Sequence, residues 1–144
     1  QVTKKTSVAQ KSNALRDSLT SFSNRPFASW TPGGELEIFE FGQFSVEVNN
    51  RTTTGQLLGQ TAQIRFTASS TVWHFSDSST ASGGSVAKSF QSVGAFLAEA
   101  KVSYRVDYQM LGENWVLDAA TVTLWSNQLE IEVTEPPRRT LLIL

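Results

Sequence analysis

Cysteine is absent from all 144 residues. A disulfide framework and a thiolate metal site are therefore excluded. A cysteine-free chain suits a bacterial surface protein better than a small secreted domain held by disulfides. No apolar run approaches the roughly 20 residues that span a bilayer, and no signal-peptide pattern is present. A chain that opens on Gln1 rather than Met reads as a fragment or a processed product, its export signal already removed. Histidine occurs once, at His74. Catalytic signatures are missing as well: there is no Gly-x-Ser-x-Gly elbow, no metal cluster and no phosphate-cradling loop.

Core-forming residues are plentiful. Hydrophobic residues make up 40% of the chain, with four Trp and nine Phe, which is enough to build one domain and argues against wholesale disorder. Charge is unevenly placed. Residues 1–25 hold five basic side chains (Lys4, Lys5, Lys11, Arg16, Arg25) against Asp17, a balance of +4; the remaining seven basic and twelve acidic residues give −5. The basic segment lacks a dense Lys/Arg block, so docking on its own body or on a neighbouring copy fits it better than nucleic acid.

Residues 1–30 read as a polar, basic arm and residues 31–144 as the folded body. In the arm, Val8, Leu15, Leu19 and Phe22 fall at helix-like spacings, which leaves open a short amphipathic helix or a flexible terminus. Thr31-Pro32-Gly33-Gly34 marks the start of the body. Alternating strand signals follow at Glu35–Phe41, Phe44–Val48, Gln63–Thr67, Thr71–Phe75, Ala95–Asp107, Thr121–Trp125 and Leu129–Val133. The apolar run from Thr140 through Leu141, Leu142 and Ile143 to Leu144 predicts a last strand. Ser76–Ser85 reads as a polar connection. Period-two alternation with short polar turns predicts an all-β, antiparallel sandwich.

The segment Trp73-His74-Phe75-Ser76-Asp77-Ser78 resembles the signature of PKD (polycystic kidney disease) domains, which read Trp, any residue, Phe, Gly, Asp, Gly. Ser76 and Ser78 stand where that family has glycine. Phe90, Gly94 and the strand from Phe96 to Tyr104 follow at the family's spacing. The order Gly55–Gly59, Ile64–Phe66, the Trp motif, Val102, Trp115 and Leu129–Val133 is similar to PKD-like domains of secreted or surface proteins of actinobacteria. The likeness covers roughly residues 35 to 144. It implies an immunoglobulin-like β-sandwich with a non-catalytic role in protein–protein or protein–carbohydrate contact.

Individual residues point the same way. His74 lies opposite Trp73 and Phe75 in strand alternation, so it is expected at the surface rather than in a triad with Asp77. Asp77 is expected to shape its turn, and Asp77, Asp107 and Asp118 are too scattered for a calcium loop. Trp73 and Trp115 are expected in the core; Trp30 and Trp125 are read as core, with stacking on sugar rings as the alternative. Asn50-Arg51-Thr52 is a formal glycosylation sequon and marks a surface loop. The expectation is a non-enzymatic, cofactor-free extracellular assembly subunit, associating with itself or another surface protein through Val8, Leu15, Leu19 and Phe22 or Leu141, Leu142 and Ile143. A monomeric adhesin, a carbohydrate- or protein-binding module and a spacer of a larger secreted protein are the alternatives.

Overall fold

The computed structural model describes residues 25–136. Val8, Leu15, Leu19, Phe22, Leu141, Leu142 and Ile143 lie outside the described residues. Within them the chain forms ten strands: β1 (Phe27–Thr31), β2 (Gly34–Glu37), β3 (Gly42–Glu47), β4 (Arg51–Leu57), β5 (Gln60–Phe75), β6 (Thr80–Ser82), β7 (Ser85–Lys88), β8 (Gly94–Met110), β9 (Trp115–Trp125) and β10 (Leu129–Thr134). No described residue is helical, so no helix there is long and apolar enough to cross a membrane. The first sheet strand starts at Phe27, ahead of the boundary read at residue 31.

Two long strands organise the fold. β5 has 16 residues and β8 has 17, and they pair antiparallel from Ala62↔Met110 to Phe75↔Ala98. At about 3.3 Å per residue, each runs about 50 Å. Shorter strands share their flanks. β4 and then β6 pair with β5; β9 and then β10 pair with β8; β2 adds to β10 in parallel. A separate three-stranded sheet has the order β1-β3-β7.

The motif half of the long pair packs face to face against that second sheet. Alternation puts Trp73, Phe75, Ala98, Ala100, Ile131 and Val133 on the inner face, where they meet Ala28, Phe44, Val86 and Phe90. Its aromatic centre is packed edge to face: Phe44 and Phe75 centroids lie 5.3 Å apart at 79°, and Phe75 and Phe90 lie 6.1 Å apart at 79°. The Trp73 indole N–H donates to the Gly83 carbonyl at 3.1 Å, so this fully buried ring leaves no donor unpaired.

The other half departs from the expected sandwich. Beyond the bulge at Ser69, β4, β5, β8 and β9 form one curled sheet, a half-barrel that closes over its own core of Leu57, Ile64, Phe66, Val102, Tyr104, Val106 and Val122. A bulge bends a strand and increases its twist, so one pair of strands serves both halves. The β3–β4 connection ties the halves together: the Asn49 amide donates to the Tyr104 hydroxyl at 3.2 Å, and the Ala68 amide donates to Asn50 Oδ1 at 2.7 Å. Arg51 and Thr52 of the sequon begin β4 rather than occupying a loop. The Ser76–Ser85 connection contains β6, which pairs with the end of β5.

Candidate functional site

The residues of the Trp motif gather at one end of the molecule. Trp73 and Phe75 point into the core, with Phe90 buried beside them. Asp77 sits in the following turn, where its Oδ1 accepts hydrogen bonds from the amide and hydroxyl of Ser79 and its Oδ2 pairs with Lys88 Nζ at 2.6 Å. Burial pushes the Asp77 carboxyl up, but the Lys88 and Ser79 hydrogen bonds outweigh it and hold the group below its ordinary value. The Lys88 ammonium also lies over the rings of Phe75 (5.4 Å) and Phe90 (5.0 Å). Asp77 therefore fastens β7 to the turn after β5. Ser78, where the resemblance has glycine, takes φ of +73°, and Gly94 takes φ of +148°.

His74 is on the opposite face, half-buried with its ring 5.1 Å from Trp125. The hydrogen bonds of Asp77 go to Ser79 and Lys88, so the motif brings no His–Asp pair together. Among the described residues no group of three or more His, Cys, Asp or Glu is placed to hold a metal ion.

A second polar cluster was not legible in the sequence. Asp107 on β8 is fully buried. Its Oδ2 accepts from Arg65 Nε at 2.9 Å and Arg105 Nη2 at 3.3 Å, and its Oδ1 accepts from the Asp118 amide at 2.7 Å. The extra residues Leu117–Ala119 in β9 bulge around it, with Asp118 at φ +51°. Desolvation raises the Asp107 carboxyl, but the Asp118 amide, then Arg65, then the charge of Arg105 outweigh it and keep it below its ordinary value. With both oxygens engaged and no exposed surface, this carboxylate anchors a bulge and is not presented to a substrate. Trp115 is not in the core: it is half-buried on the outer face, 4.3 Å beneath the Arg65 guanidinium. The clue was cross-strand register, Arg65↔Asp107, which a linear pattern does not display.

The sheet edges differ in how they are protected. Unpaired edge strands template further pairing unless they are short, charged or covered. β2 has four residues and carries Glu35 and Glu37; β6 has three; β7 has four and ends in Lys88. β1 is capped by Asn127, whose side chain accepts from the Ala28 amide at 2.6 Å and donates to the Ala28 carbonyl at 3.0 Å. β4 is open but begins at Arg51 and presents Thr52, Thr54 and Gln56. β9 is the exception. It has 11 residues, pairs only with β8 among the described strands, and carries Asp118 as its only charge. From Ala119 to Trp125 it reads Ala-Ala-Thr-Val-Thr-Leu-Trp, without charge, proline or glycine.

Trp125 closes this edge strand. It lies 38% exposed on the outer face, between His74 and the Lys101 ammonium at 5.7 Å. Leu97, also 38% exposed, and Glu99 and Gln128 line a shallow depression beside His74. Trp30 instead stacks on Phe44 at 5.4 Å, and its indole N–H donates to the Glu130 carbonyl at 3.2 Å, so it belongs to the packing between the sheets. A cleft of about 480 Å³ is lined mainly by Val46, Val48, Ala68 and the serines of the β5 bulge, and it holds no titratable side chain. No protein-family model matches the chain, and comparison with curated proteins yields no match.

Proposed function

We propose that this chain is a non-catalytic assembly module of the bacterial cell surface, built on an immunoglobulin-like sandwich, that joins its neighbours by strand addition. The surface location is supported by the resemblance of the Trp73–Ser78 segment to PKD-like domains and by the absence of cysteine. The observation that carries the assembly reading is the edge of β9, the longest unprotected edge among the described strands. The Arg25 guanidinium engages the Trp125 carbonyl at 3.1 Å at the end of this edge; a strand added alongside the rest of it pairs with its open backbone groups and covers the half-buried Ala120 and Leu124. A contact between two different surfaces of like copies is heterologous, and it builds a filament unless the rotation closes.

Multi-angle light scattering and negative-stain microscopy on the full chain test this, alongside Thr121→Glu/Thr123→Lys on β9 and Thr54→Lys on β4. Glu at 121 faces Arg105 across the ladder, so the charged edge keeps its fold. Association is expected in the full chain and the β4 variant and is expected to fall at least tenfold in the β9 variant. A full chain that stays monomeric at millimolar concentration contradicts the proposal. Deletion of residues 1–24 separates a contribution of the basic arm.

A second reading is supported by Trp125: a partly exposed indole against His74, whose ring also lines the depression of Glu99 and Gln128, is the kind of surface on which a sugar ring stacks. Glycan binding by the full chain that is lost in Trp125→Ala would favour this reading. Binding that survives the substitution, or no binding at all, would remove it.

A further inference from the structure

We propose that a further contact between copies runs end to end: the loop tip Phe39-Glu40-Phe41 of one copy seats in a cleft at the far end of the half-barrel of the next. This contact is separate from the β9 edge. The tip is held out in a fixed form. The Phe39 amide donates to the Phe90 carbonyl at 3.0 Å, which joins the β2–β3 loop to the β7–β8 loop. On these two loops Phe39, Phe41 and Val93 are 60%, 67% and 50% exposed. Phe39 stands at φ +66°, a left-handed conformation that an aromatic residue adopts only at a cost. Three large apolar side chains on adjoining loops, one of them strained, form the kind of patch that marks a contact.

Charge selects the partner. Glu40 lies between the two Phe residues in sequence, and the sandwich half (residues 25–47, 71–100 and 126–136) holds two basic and nine acidic side chains, a balance of −7. An anionic lipid surface repels such a tip, and a cationic one attracts it. The half-barrel (residues 48–70 and 101–125) holds four basic and three acidic side chains, a balance of +1. At its far end is a cleft of about 240 Å³, lined by Ala62, Met110 and the exposed Leu111 together with Gln63 and Gln109. Arg65 follows on the same face of β5, two positions from Gln63 and about 7 Å along the strand. Its guanidinium gives Nε and Nη2 to Asp107 and stays partly exposed, so it keeps N–H donors for a second carboxylate. An aromatic ring seated in the cleft therefore brings Glu40 toward Arg65. Val93 of the tip adjoins Gly94 at the start of β8, whereas Met110 of the cleft ends that strand, about 50 Å away. Tip and cleft of one copy cannot meet, and their contact between copies repeats head to tail.

The chain has no cysteine, so introduced thiols report the contact directly. Full-length Val93→Cys, beside the tip, and full-length Thr61→Cys, in the cleft wall, are mixed and treated with a short bismaleimide. Links between positions 93 and 61 are expected to form at least tenfold faster than links of either position to itself, as read by mass spectrometry. Adding Phe39→Asn/Phe41→Ser to the Val93→Cys chain is expected to slow them at least tenfold, and adding Glu40→Arg severalfold, with circular dichroism and urea midpoint unchanged. Equal rates for the three pairings, or links indifferent to the tip substitutions, would overturn the contact while the β9 reading stands on its own assay. Binding of the full chain to phosphatidylcholine vesicles that is lost with the tip would overturn it in favour of a lipid surface. Tip-dependent links in a chain whose β9 amides never gain protection would uphold the contact and remove the β9 reading instead.

Discussion

Replacing Asp107 by Asn tests the account of the β9 bulge, because it removes one charge while keeping an acceptor for the Asp118 amide. The loss falls on the bonds from Arg65 and Arg105. A hydrogen bond to a charged group contributes about 1.5–3 kcal/mol, and breaking a fully buried pair costs about 3–5 kcal/mol. Here only the acid is fully buried; the arginine side chains are 38% and 48% exposed and regain water when released. That places the expected loss near the lower bound, about 2 kcal/mol. Asp107→Ala also strands the Asp118 amide, for about 3 kcal/mol in all. The assay is urea denaturation, since guanidinium salt screens the interaction under study. The folded carboxyl is held below its unfolded value. Its contribution is therefore complete above the unfolded pKa of about 3.9 and fades as pH falls through the folded value. The gap between parent and Asn variant should be constant from pH 7 to about 5 and close toward pH 2. Asp77, also held low, titrates in both proteins and cancels from the difference. A gap below about 0.5 kcal/mol at pH 7, or one that persists unchanged in acid, refutes the reasoning.

Backbone conformation yields two stabilising substitutions. Ser78→Gly relieves a left-handed residue at φ +73°, and Leu58→Asn does so at φ +54° in the two-residue β4–β5 turn; each is expected to raise the urea midpoint by the equivalent of about 1 kcal/mol. Lower midpoints would show that those side chains contribute more than their conformation costs. Asn127→Ala removes both hydrogen bonds to Ala28, is expected to cost about 1–2 kcal/mol, and leaves the β1 edge unprotected. Faster aggregation of that variant than of an equally destabilised core variant checks the second effect.

The all-β class was legible because alternation is local. Thr71–Phe75 and Leu129–Val133 each show one buried face, and Trp73 and Phe75 lie in the core as their parity requires, whereas in Phe44–Val48 the buried face ends at Val46 and Val48 is exposed. What the alternation cannot convey is which strands neighbour one another. β5 and β8 continue through the breaks at Ser69 and Asp107, so the second, curled half was hidden inside runs that look like ordinary sandwich strands. β1, β4 and β7 are short or rich in Ser and Thr, and they become strands by pairing rather than by pattern. Trp115 was expected in the core because a sandwich commonly buries a Trp near a strand centre; register places it outside, beneath Arg65. The open edge of β9 is likewise a property of sheet order. Only its uncharged composition was present in the chain.

Amide hydrogen exchange on the full chain, recorded at low and high protein concentration, tests the assembly claim most directly. The account predicts that amides within Ala119–Trp125 gain protection as concentration rises, while those of the other open edge, β4, stay unchanged. An assembled sample in which β9 exchanges as it does in the monomer, or in which β4 is the edge that gains protection, would contradict it.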